Sequence, residues 1–357
     1  MPEIIEVGAY PVDMPLKDAF ETSKGRKTTS PAVAVELGLA DGTTGFGAAT
    51  PVQYVTGEDV DDVLASVERC RPSILGKEIT GYRPLFSVIY EALPDKCSAR
   101  AALEMAVIDG FCKHYGLAMC NFFGGTLSEV ETDVTIPICE PDKARELSRE
   151  AAANGFHHLK VKVGGKDQEE DFARVIAMSE GAPNCAIRLD ANQGFTPSFA
   201  VAYTKRLLDA GVKVDMLEQP VDRDDLEGLA YVTANTTVAV FADEACRNPA
   251  DAIKLVQMNA VDGINIKLMK AGISGALDII AVCRAAGKEL MLGCMLETGI
   301  GMATSVHFAA GTGVFSRLDL DGHLLAVDMP FPGGFTYEGP YLRPNAKALG
   351  HGATGAK

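Results

Sequence analysis

The chain has 357 residues, 47% of them hydrophobic and 23% charged, which is typical of a folded globular protein and excludes a disordered or collagen-like chain. Its 48 acidic and 33 basic residues give a formal net charge of −15, which disfavours general binding to nucleic acid or to an anionic membrane. No stretch reaches the roughly 18 uninterrupted apolar residues of a membrane span, and the acidic, proline-containing start lacks the pattern of a secretory signal. Nine cysteines without a CxxC pair favour a reducing, cytoplasmic location.

The first 125 residues differ in pattern from the rest and predict a separate α+β domain. β-like stretches cover residues 3–12 and 31–48, with a hairpin turn at Asp41-Gly42. The polar segment 20–31 between them has no periodicity and is predicted to be a loop. Helical spacing then predicts two helices, over residues 59–71 and 98–115.

From Thr132 onward, short β-rich strings alternate with Ala-rich amphipathic stretches. Eight strands are predicted, at residues 132–140, 158–164, 186–192, 214–220, 238–244, 263–269, 289–295 and 316–322. Apolar strands that alternate with helices indicate a parallel sheet covered by helices, and eight such strands close into a barrel. No helix-sized repeat follows the eighth strand. We therefore expect a capping domain at 1–125, a barrel at 126–322 and a C-terminal segment at 323–357 that returns to the capping domain.

Charged residues recur near the ends of these predicted strands, at intervals of about one β/α repeat. They are Lys160, Lys162, Asp190, Glu218, Asp243, Lys267, Glu297, Asp319 and Asp321. A single acid at a strand end usually caps a helix or forms a turn. A whole set of charges beside apolar strings would be costly to bury without a function. Since barrel active sites assemble at the carboxyl ends of the strands, we expect these side chains to meet in one site.

The types of residue in this set predict its chemistry. Asp190, Glu218 and Asp243 come from adjacent strands with no His or Cys beside them, and such an all-oxygen site favours Mg²⁺ over zinc or copper. Lys162 and Lys267 flank the carboxylates and place one amine on each side of the metal. For a carboxylate substrate bound there, one lysine removes the α-proton and the other returns a proton to the opposite face. This arrangement predicts racemisation or epimerisation.

The strings LKVKVG, RLDANQG, LEQPV, ADE and INIKLMKAG resemble the enolase superfamily, muconate-lactonizing enzyme subgroup, along essentially the whole chain. The resemblance implies a (β/α)₇β modified TIM barrel, capped by an α+β domain made from both chain ends. Sites of this superfamily use a Lys or His base with Mg²⁺ stabilising an enediolate. Carried over to this sequence, the implied roles are Mg²⁺ ligation by Asp190, Glu218 and Asp243, acid/base catalysis by Lys162 and Lys267, and substrate binding by Lys160 and Asn192. A homo-oligomer is also implied.

The eighth strand carries the feature that separates members of the subgroup. Asp319 and Asp321 are two residues apart and are predicted to share one face of the strand, a seat for an ammonium group. The pair resembles the DxD signature of dipeptide epimerases, which bind the free amino terminus of the substrate. The alternative is a capping acid followed by a turn acid before Gly322.

Two further candidates concern substrate binding and specificity. GCMLETGIG, at residues 293–301, resembles the strand-seven segment of these epimerases, and Glu297 is predicted to orient groups near the site. Epimerases acting on Ala-Glu carry an arginine in the loop of residues 20–31. Arg26 is the candidate here, although the register of the following strand puts Gly25 at the expected place. The preferred dipeptide therefore stays open.

Three functions compete. The first is a Mg²⁺-dependent epimerase that inverts the α-carbon of the C-terminal residue of an L,L-dipeptide. The second is another reaction of the subgroup, namely muconate cycloisomerisation, o-succinylbenzoate synthesis or acylamino-acid racemisation. Muconate and the o-succinylbenzoate precursor carry no ammonium, and Asp319 and Asp321 would repel them. The third is an inert barrel that binds an amino-acid ligand, which the intact lysines and acids disfavour.

Overall fold

The computed structural model of the protein describes residues 2–22, 25–165 and 167–354. The N-terminal part begins with an antiparallel sheet of three strands, β1 (Ile4–Thr22), β2 (Gly25–Leu39) and β3 (Thr44–Ala49). Five helices follow, α1 (Gln53–Thr56), α2 (Val60–Ile74), α3 (Tyr82–Ala92), α4 (Cys97–His114) and α5 (Met119–Phe122). A two-residue strand, β4 (Val130–Glu131), then leads into the second part. These elements place a strand–helix layer ahead of the barrel.

The second part is an eight-stranded sheet with a helix after each of its first seven strands. In chain order its elements are β5 (Val134–Ile136), α6 (Pro141–Ala153), β6 (His158–Lys162), α7 (Gln168–Gly181), β7 (Ala186–Asp190), α8 (Pro197–Asp209), β8 (Val214–Glu218), α9 (Leu226–Asn235), β9 (Ala239–Ala242), α10 (Pro249–Gln257), β10 (Gly263–Lys267), α11 (Leu268–Ala285), β11 (Glu289–Gly293), α12 (Gly299–Thr312) and β12 (Arg317–Asp319). A four-residue helix, α13 (Gly322–Leu325), follows the last strand. The chain continues through β13 (Phe335–Glu338) and β14 (Tyr341–Pro344).

Each strand of the large sheet pairs in parallel with the next strand along the chain, from β5 to β12. The two ends of the sheet meet where the backbone N–H of Asp133 donates to Leu318 O at 3.2 Å. The predicted (β/α)₇β barrel with an N-terminal capping sheet is confirmed. The eight strands lie where apolar strings predict them, because strands covered by helices are buried on both faces. The division into segments 1–125, 126–322 and 323–357 stays a prediction.

Two sequence expectations need correction. Residues 20–22 and 25–31 are not a loop, because β1 and β2 form one long hairpin in which Phe20 pairs with Lys27 and Thr22 with Gly25. Backbone hydrogen bonds between two adjacent strands need no apolar pattern, so the polar composition of the segment gave no signal of the pairing. The predicted barrel strands also run too far at their carboxyl ends, and Asp243 and Asp321 follow β9 and β12 instead of lying within them.

The capping sheet packs against both the helices of its own part and the barrel. Val33 and Val35 of β2 belong to the main core with α2 and α4, whereas Ala34 packs with Ile300 and Ala303 of α12. Both faces of β2 are therefore buried, and the sheet lies next to the barrel helix that begins after strand β11.

None of the helices in the described part of the chain is long and apolar enough to cross a membrane.

Candidate active site

The strand registers place the predicted charged residues at one level of the barrel. Lys162 on β6 is the ladder partner of Asp190 on β7, and Asp190 is the partner of Glu218 on β8. On the other side, Lys267 on β10 and Asp319 on β12 share one partner residue on β11. Because each of these residues ends its strand, they all lie at the carboxyl end of the barrel, where active sites of this fold assemble.

Three carboxylates form the centre of the site. Asp190 and Glu218 are fully buried and Asp243 is 2% exposed. Lys162 Nζ lies 2.5 Å from Asp190 Oδ2, and Lys267 Nζ lies 2.7 Å from Asp243 Oδ2. The two lysines come from β6 and β10, two strands to either side of β8, which carries Glu218. The structure thus brings the predicted acids and lysines together, with one amine on each side.

The carboxylates affect one another strongly. Burial, followed by the charge of Asp190, raises the pKa of Glu218 to about 7. Burial opposes ionisation of Asp190 too, but Lys162 and Lys160 outweigh it and hold its pKa at about 2. Burial also lowers the pKa of Lys267, yet the adjacent Asp243 carboxylate more than offsets this and the pKa lies above its ordinary value. The raised pKa of Glu218 means that a third negative charge is unfavourable beside the other two, which a divalent cation would offset. The all-oxygen donor set fits Mg²⁺.

Lys160, predicted to hold a substrate carboxylate, lies inside the acidic cluster. Its ammonium is 2% exposed and lies 2.6 Å from Asp319 Oδ2, 2.9 Å from Glu218 Oε2 and 3.1 Å from Asp190 Oδ2. Burial lowers the pKa of Lys160, but the charges of Asp319, Glu218 and Asp190 raise it well above its ordinary value. Lys160 therefore links two of the three central carboxylates to Asp319 at the end of β12.

Two buried residues of β10 and α11 were not among the sequence candidates. Asn265 Nδ2 donates to Glu218 Oε1 at 2.7 Å. Lys270 Nζ lies 2.5 Å from Asp243 Oδ1 and 3.1 Å from Asn265 O, and its side chain is 1% exposed. Asn265 is two residues before Lys267 and shares its face of the strand, so strand alternation gave a usable signal for it. Lys270 lies on a helix, where the strand-end pattern does not apply.

Asn192 and Glu244 form a contact at the edge of the carboxylate centre. The backbone N–H of Asn192 donates to Asp190 Oδ1 at 3.0 Å, and its side-chain amide donates to Glu244 Oε1 at 3.2 Å. Asn192 has a φ of 39°, in the left-handed region that asparagine tolerates. Burial, then the charge of Asp243, raises the pKa of Glu244. The amide of Asn192, predicted to bind substrate, is directed here to Glu244.

A second acidic cluster adjoins the centre. Asp133, Asp319 and Asp321 each place a carboxylate oxygen within 4.8 Å of the others. Asp321 precedes α13, but its side chain makes no capping hydrogen bond and instead accepts from the backbone N–H of Thr135 at 2.7 Å. Burial, followed by the charge of Asp319, raises the pKa of Asp321 to about 6. Asp133 was not among the sequence candidates, because it lies at the start of the predicted strand 132–140 and the candidates were charges near strand ends. In the structure it directly precedes β5.

The last two sequence candidates are Glu297 and Arg26. Glu297 is 1% exposed, accepts from the backbone N–H of Met295 at 3.0 Å, and has its pKa raised to about 7 by burial. Its side-chain hydrogen bond is within its own loop, and the charge of Lys267 also acts on it. A role in orienting groups near the site stays a prediction. Arg26 lies in β2 opposite Glu21, and its side chain falls outside what the structure describes.

Family comparison agrees with this arrangement over nearly the whole chain. Residues 4–124 match the family model of the mandelate racemase/muconate lactonizing enzyme N-terminal domain, and residues 143–355 match the enolase C-terminal domain-like model. The chain belongs to the mandelate racemase/muconate lactonizing enzyme family of the enolase superfamily. The resemblance stated from the sequence motifs is thereby confirmed.

Relatives in this family carry narrower names. The chain is 36% identical over 353 residues to an aromatic dipeptide epimerase of Herpetosiphon aurantiacus, with 99% of each chain covered. It is also 36% identical to an L-Ala-D/L-Glu epimerase of Bacillus subtilis, over 98% of this chain and 96% of that one. A dipeptide epimerase of Enterococcus faecalis, solved with Mg and L-Leu-L-Tyr, superposes with a TM-score of 0.94 at 35% identity, covering 98% of this chain and 99% of that one. The prediction of an isomerase is confirmed by these relatives, and that complex confirms Mg²⁺ as a metal of the family.

Proposed function

We propose that the protein is a Mg²⁺-dependent dipeptide epimerase that inverts the α-carbon of the C-terminal residue of an L,L-dipeptide. The observation that carries this proposal is the combination of two opposed lysines with an acidic seat beside them. Lys162 and Lys267 flank the three central carboxylates, and Asp319 and Asp321 lie at the end of the last strand. Relatives named dipeptide epimerase over the full length of the chain support the same reaction.

The central carboxylates of Asp190, Glu218 and Asp243 are the residues that would hold the metal. Bound Mg²⁺ supplies electrostatic stabilisation of the substrate carboxylate oxygens, on which negative charge builds when the α-proton leaves. Lys270 Nζ, at 2.5 Å from Asp243 Oδ1, holds that carboxylate in place from behind. The donor set is thus fixed before substrate arrives.

The two lysines move the proton. One of Lys162 and Lys267 enters the cycle as a free amine and removes the α-proton, and the other enters as an ammonium and returns a proton from the opposite side. Inversion follows because the two amines lie on opposite sides of Glu218. Running the cycle in reverse exchanges the two roles, so both epimers are substrates.

Asp319 and Asp321 fix the orientation of the dipeptide by binding its α-ammonium. Asp321 has no basic partner among the side chains that the structure describes, so its charge is free for a cationic ligand. The runner-up reactions, muconate cycloisomerisation, o-succinylbenzoate synthesis and acylamino-acid racemisation, use substrates without an ammonium. An unpaired carboxylate beside such anionic substrates would repel them.

Substitution of Asp321 tests the proposal. We expect Asp321→Ala to lower kcat/KM for L,L-dipeptide epimerisation by about 10–100-fold, the loss of one hydrogen bond between charged groups. The assay is chiral chromatography of products from a pool of L,L-dipeptides with Mg²⁺. Asp328→Ala, which removes an exposed acid of the same C-terminal region, is the matched control and should leave turnover unchanged. Unchanged turnover in Asp321→Ala would contradict the ammonium seat.

We further infer a cytoplasmic homo-oligomer whose partner is a small dipeptide, without nucleic-acid or membrane binding. All nine cysteines are free, which suits a reducing compartment. The net charge of −15 disfavours phosphate-rich partners.

A further inference from the structure

We propose that Asp133 is the third carboxylate of the ammonium seat and that it sets the preference of this site for substrates with a free amino terminus. The inference rests on the proposed function and extends it to a residue that precedes the first barrel strand. Asp133 is fully buried, and one of its oxygens lies within 4.8 Å of a carboxylate oxygen of both Asp319 and Asp321. The seat is thus a recess of three acids, which we call the triacid recess.

An ion pair with Arg188 holds the carboxylate of Asp133 in position. Arg188 lies on β7 as the ladder partner of Lys160, and its Nη1 donates to Asp133 Oδ2 at 2.9 Å. The backbone of Asp133 is held as well, since its N–H donates to Leu318 O at 3.2 Å. The second oxygen, Oδ1, is buried and has no hydrogen-bond partner among the described residues. A buried carboxylate oxygen held rigidly without a donor is costly unless a ligand or its field uses it.

The net charge of the residues around the triacid recess favours one additional cation. Lys160 lies 2.6 Å from Asp319 Oδ2, and Arg188 lies 2.9 Å from Asp133 Oδ2, so two of the three acids have a cationic partner. Asp321 accepts from the backbone N–H of Thr135 and has no basic partner among the described side chains. The three acids and two bases carry about one net negative charge when all are ionised, and more because Lys160 is shared with Glu218 and Asp190 and Arg188 with Asp215. This charge favours a cation such as the ammonium of a dipeptide.

The position of Asp133 also explains why two acids alone would be a weak seat. Asp319 is shared with Lys160, which in turn contacts Glu218 and Asp190 of the carboxylate centre. Part of the field of Asp319 is thus compensated before any substrate binds. Burial, followed by the charge of Asp319, raises the pKa of Asp133 well above its ordinary value, so an ammonium in the recess favours ionisation of Asp133. Coulomb attraction across about 5 Å of protein is large even at an effective dielectric constant of about 20.

The test is Asp133→Asn, with Asp215→Asn as its matched control. Asp215 binds the Nε edge of the same arginine at 2.9 Å, so both variants remove one acid from Arg188, but only Asp133 belongs to the triacid recess. The probes are the best dipeptide of the pool and its desamino analogue, in which hydrogen replaces the N-terminal amino group. KM and kcat are measured for the first and the competitive inhibition constant for the second.

We expect Asp133→Asn to raise KM for the dipeptide about tenfold with kcat within about threefold of the wild type, and to leave the inhibition constant of the desamino analogue unchanged or lower. Asp215→Asn should leave the KM for the dipeptide and the inhibition constant of the desamino analogue unchanged. Thermal melting of both variants near the wild-type value shows that the fold is intact. If the two variants lose affinity for the dipeptide and for the analogue in parallel, Asp133 is a structural partner of Arg188 and the inference is wrong.

Two further results would test the assignment of Asp133 to the ammonium seat. Calorimetric titration with MgCl₂ should give one ion per chain in the wild type and in Asp133→Asn, and a second ion lost on that substitution would make the triacid recess a metal site and overturn the inference. A wild-type protein that turns over no dipeptide overturns the proposed function and this inference with it. If the wild type turns over the dipeptide and Asp133→Asn has the same KM as the wild type, the inference is overturned and the proposed function is not.

Discussion

At the scale of single residues, the proposed activity requires two lysines, one on each side of the central carboxylates. Each ammonium lies against one central carboxylate, Lys162 at 2.5 Å from Asp190 and Lys267 at 2.7 Å from Asp243. Neither lysine alone can both remove a proton from one face of the α-carbon and return it to the other. The pair is therefore the minimal unit for inversion, whereas either member suffices for exchange at one face.

Single substitutions separate these two activities. We expect Lys162→Ala and Lys267→Ala each to lower epimerisation by about 10³-fold, the usual contribution of general acid–base catalysis. In D₂O, however, one variant should still exchange the α-proton of the L,L-dipeptide and the other that of the L,D-dipeptide. NMR of each isomer with each variant is the measurement. If both variants exchanged the same isomer, the two lysines would not act on opposite faces.

Candidate site residues could be identified from the sequence where charges recur at the ends of successive strands, and not elsewhere. Asp190, Glu218 and Lys267 end strands and recur at one β/α repeat, so their convergence could be predicted. Lys270 and Asp133 lie outside the strands, on a helix and in a loop. Their charged partners Asp243 and Arg188 are 27 and 55 residues away, a separation that no local pattern encodes.

At the scale of elements, the close approach of β3 and α4 positions the capping layer. A Cβ at Gly47 would overlap the carbonyl oxygen of Ala102 on α4. Glycine at this point lets the strand backbone lie directly on the helix, with Ala48 on the opposite face packed towards α12. The sequence showed Gly47-Ala48-Ala49 without revealing why a glycine is needed, because the reason is a contact between two elements.

Substitution at this contact should affect stability. We expect Gly47→Ala to lower the free energy of unfolding by about 2 kcal/mol, because strand and helix must separate to fit the methyl group. Gly8→Ala is the matched control, since Gly8 lies in the same sheet and a Cβ there meets nothing within 4 Å. Its effect should stay within about 0.5 kcal/mol. Urea unfolding followed by circular dichroism measures both, and equal losses would show that the contact does not hold the elements together.

At the scale of the whole molecule, the C-terminal segment packs on helices of the N-terminal part. The backbone N–H of Met119 on α5 donates to Gly350 O at 2.7 Å, and the N–H of His351 donates to the buried Asp109 of α4 at 3.0 Å. These contacts agree with a C-terminal segment that returns to the N-terminal part. Alternation of strands and helices was enough to predict the barrel, since it is a regular repeat. The long β1–β2 hairpin was not predicted, because the backbone pairing of residues 20–22 and 25–31 leaves no apolar pattern in the sequence.

Epimerisation by two lysines requires Mg²⁺-dependent exchange of one specific proton, and isotope incorporation measures that exchange. The protein is incubated in D₂O with pooled L,L-dipeptides, with Mg²⁺ or with a chelator, and the α-carbons are followed by NMR and mass spectrometry. We expect deuterium at the α-carbon of the C-terminal residue, together with the L,D-epimer, only when Mg²⁺ is present. No exchange across the pool, with metal bound and the fold intact, would contradict the proposed function.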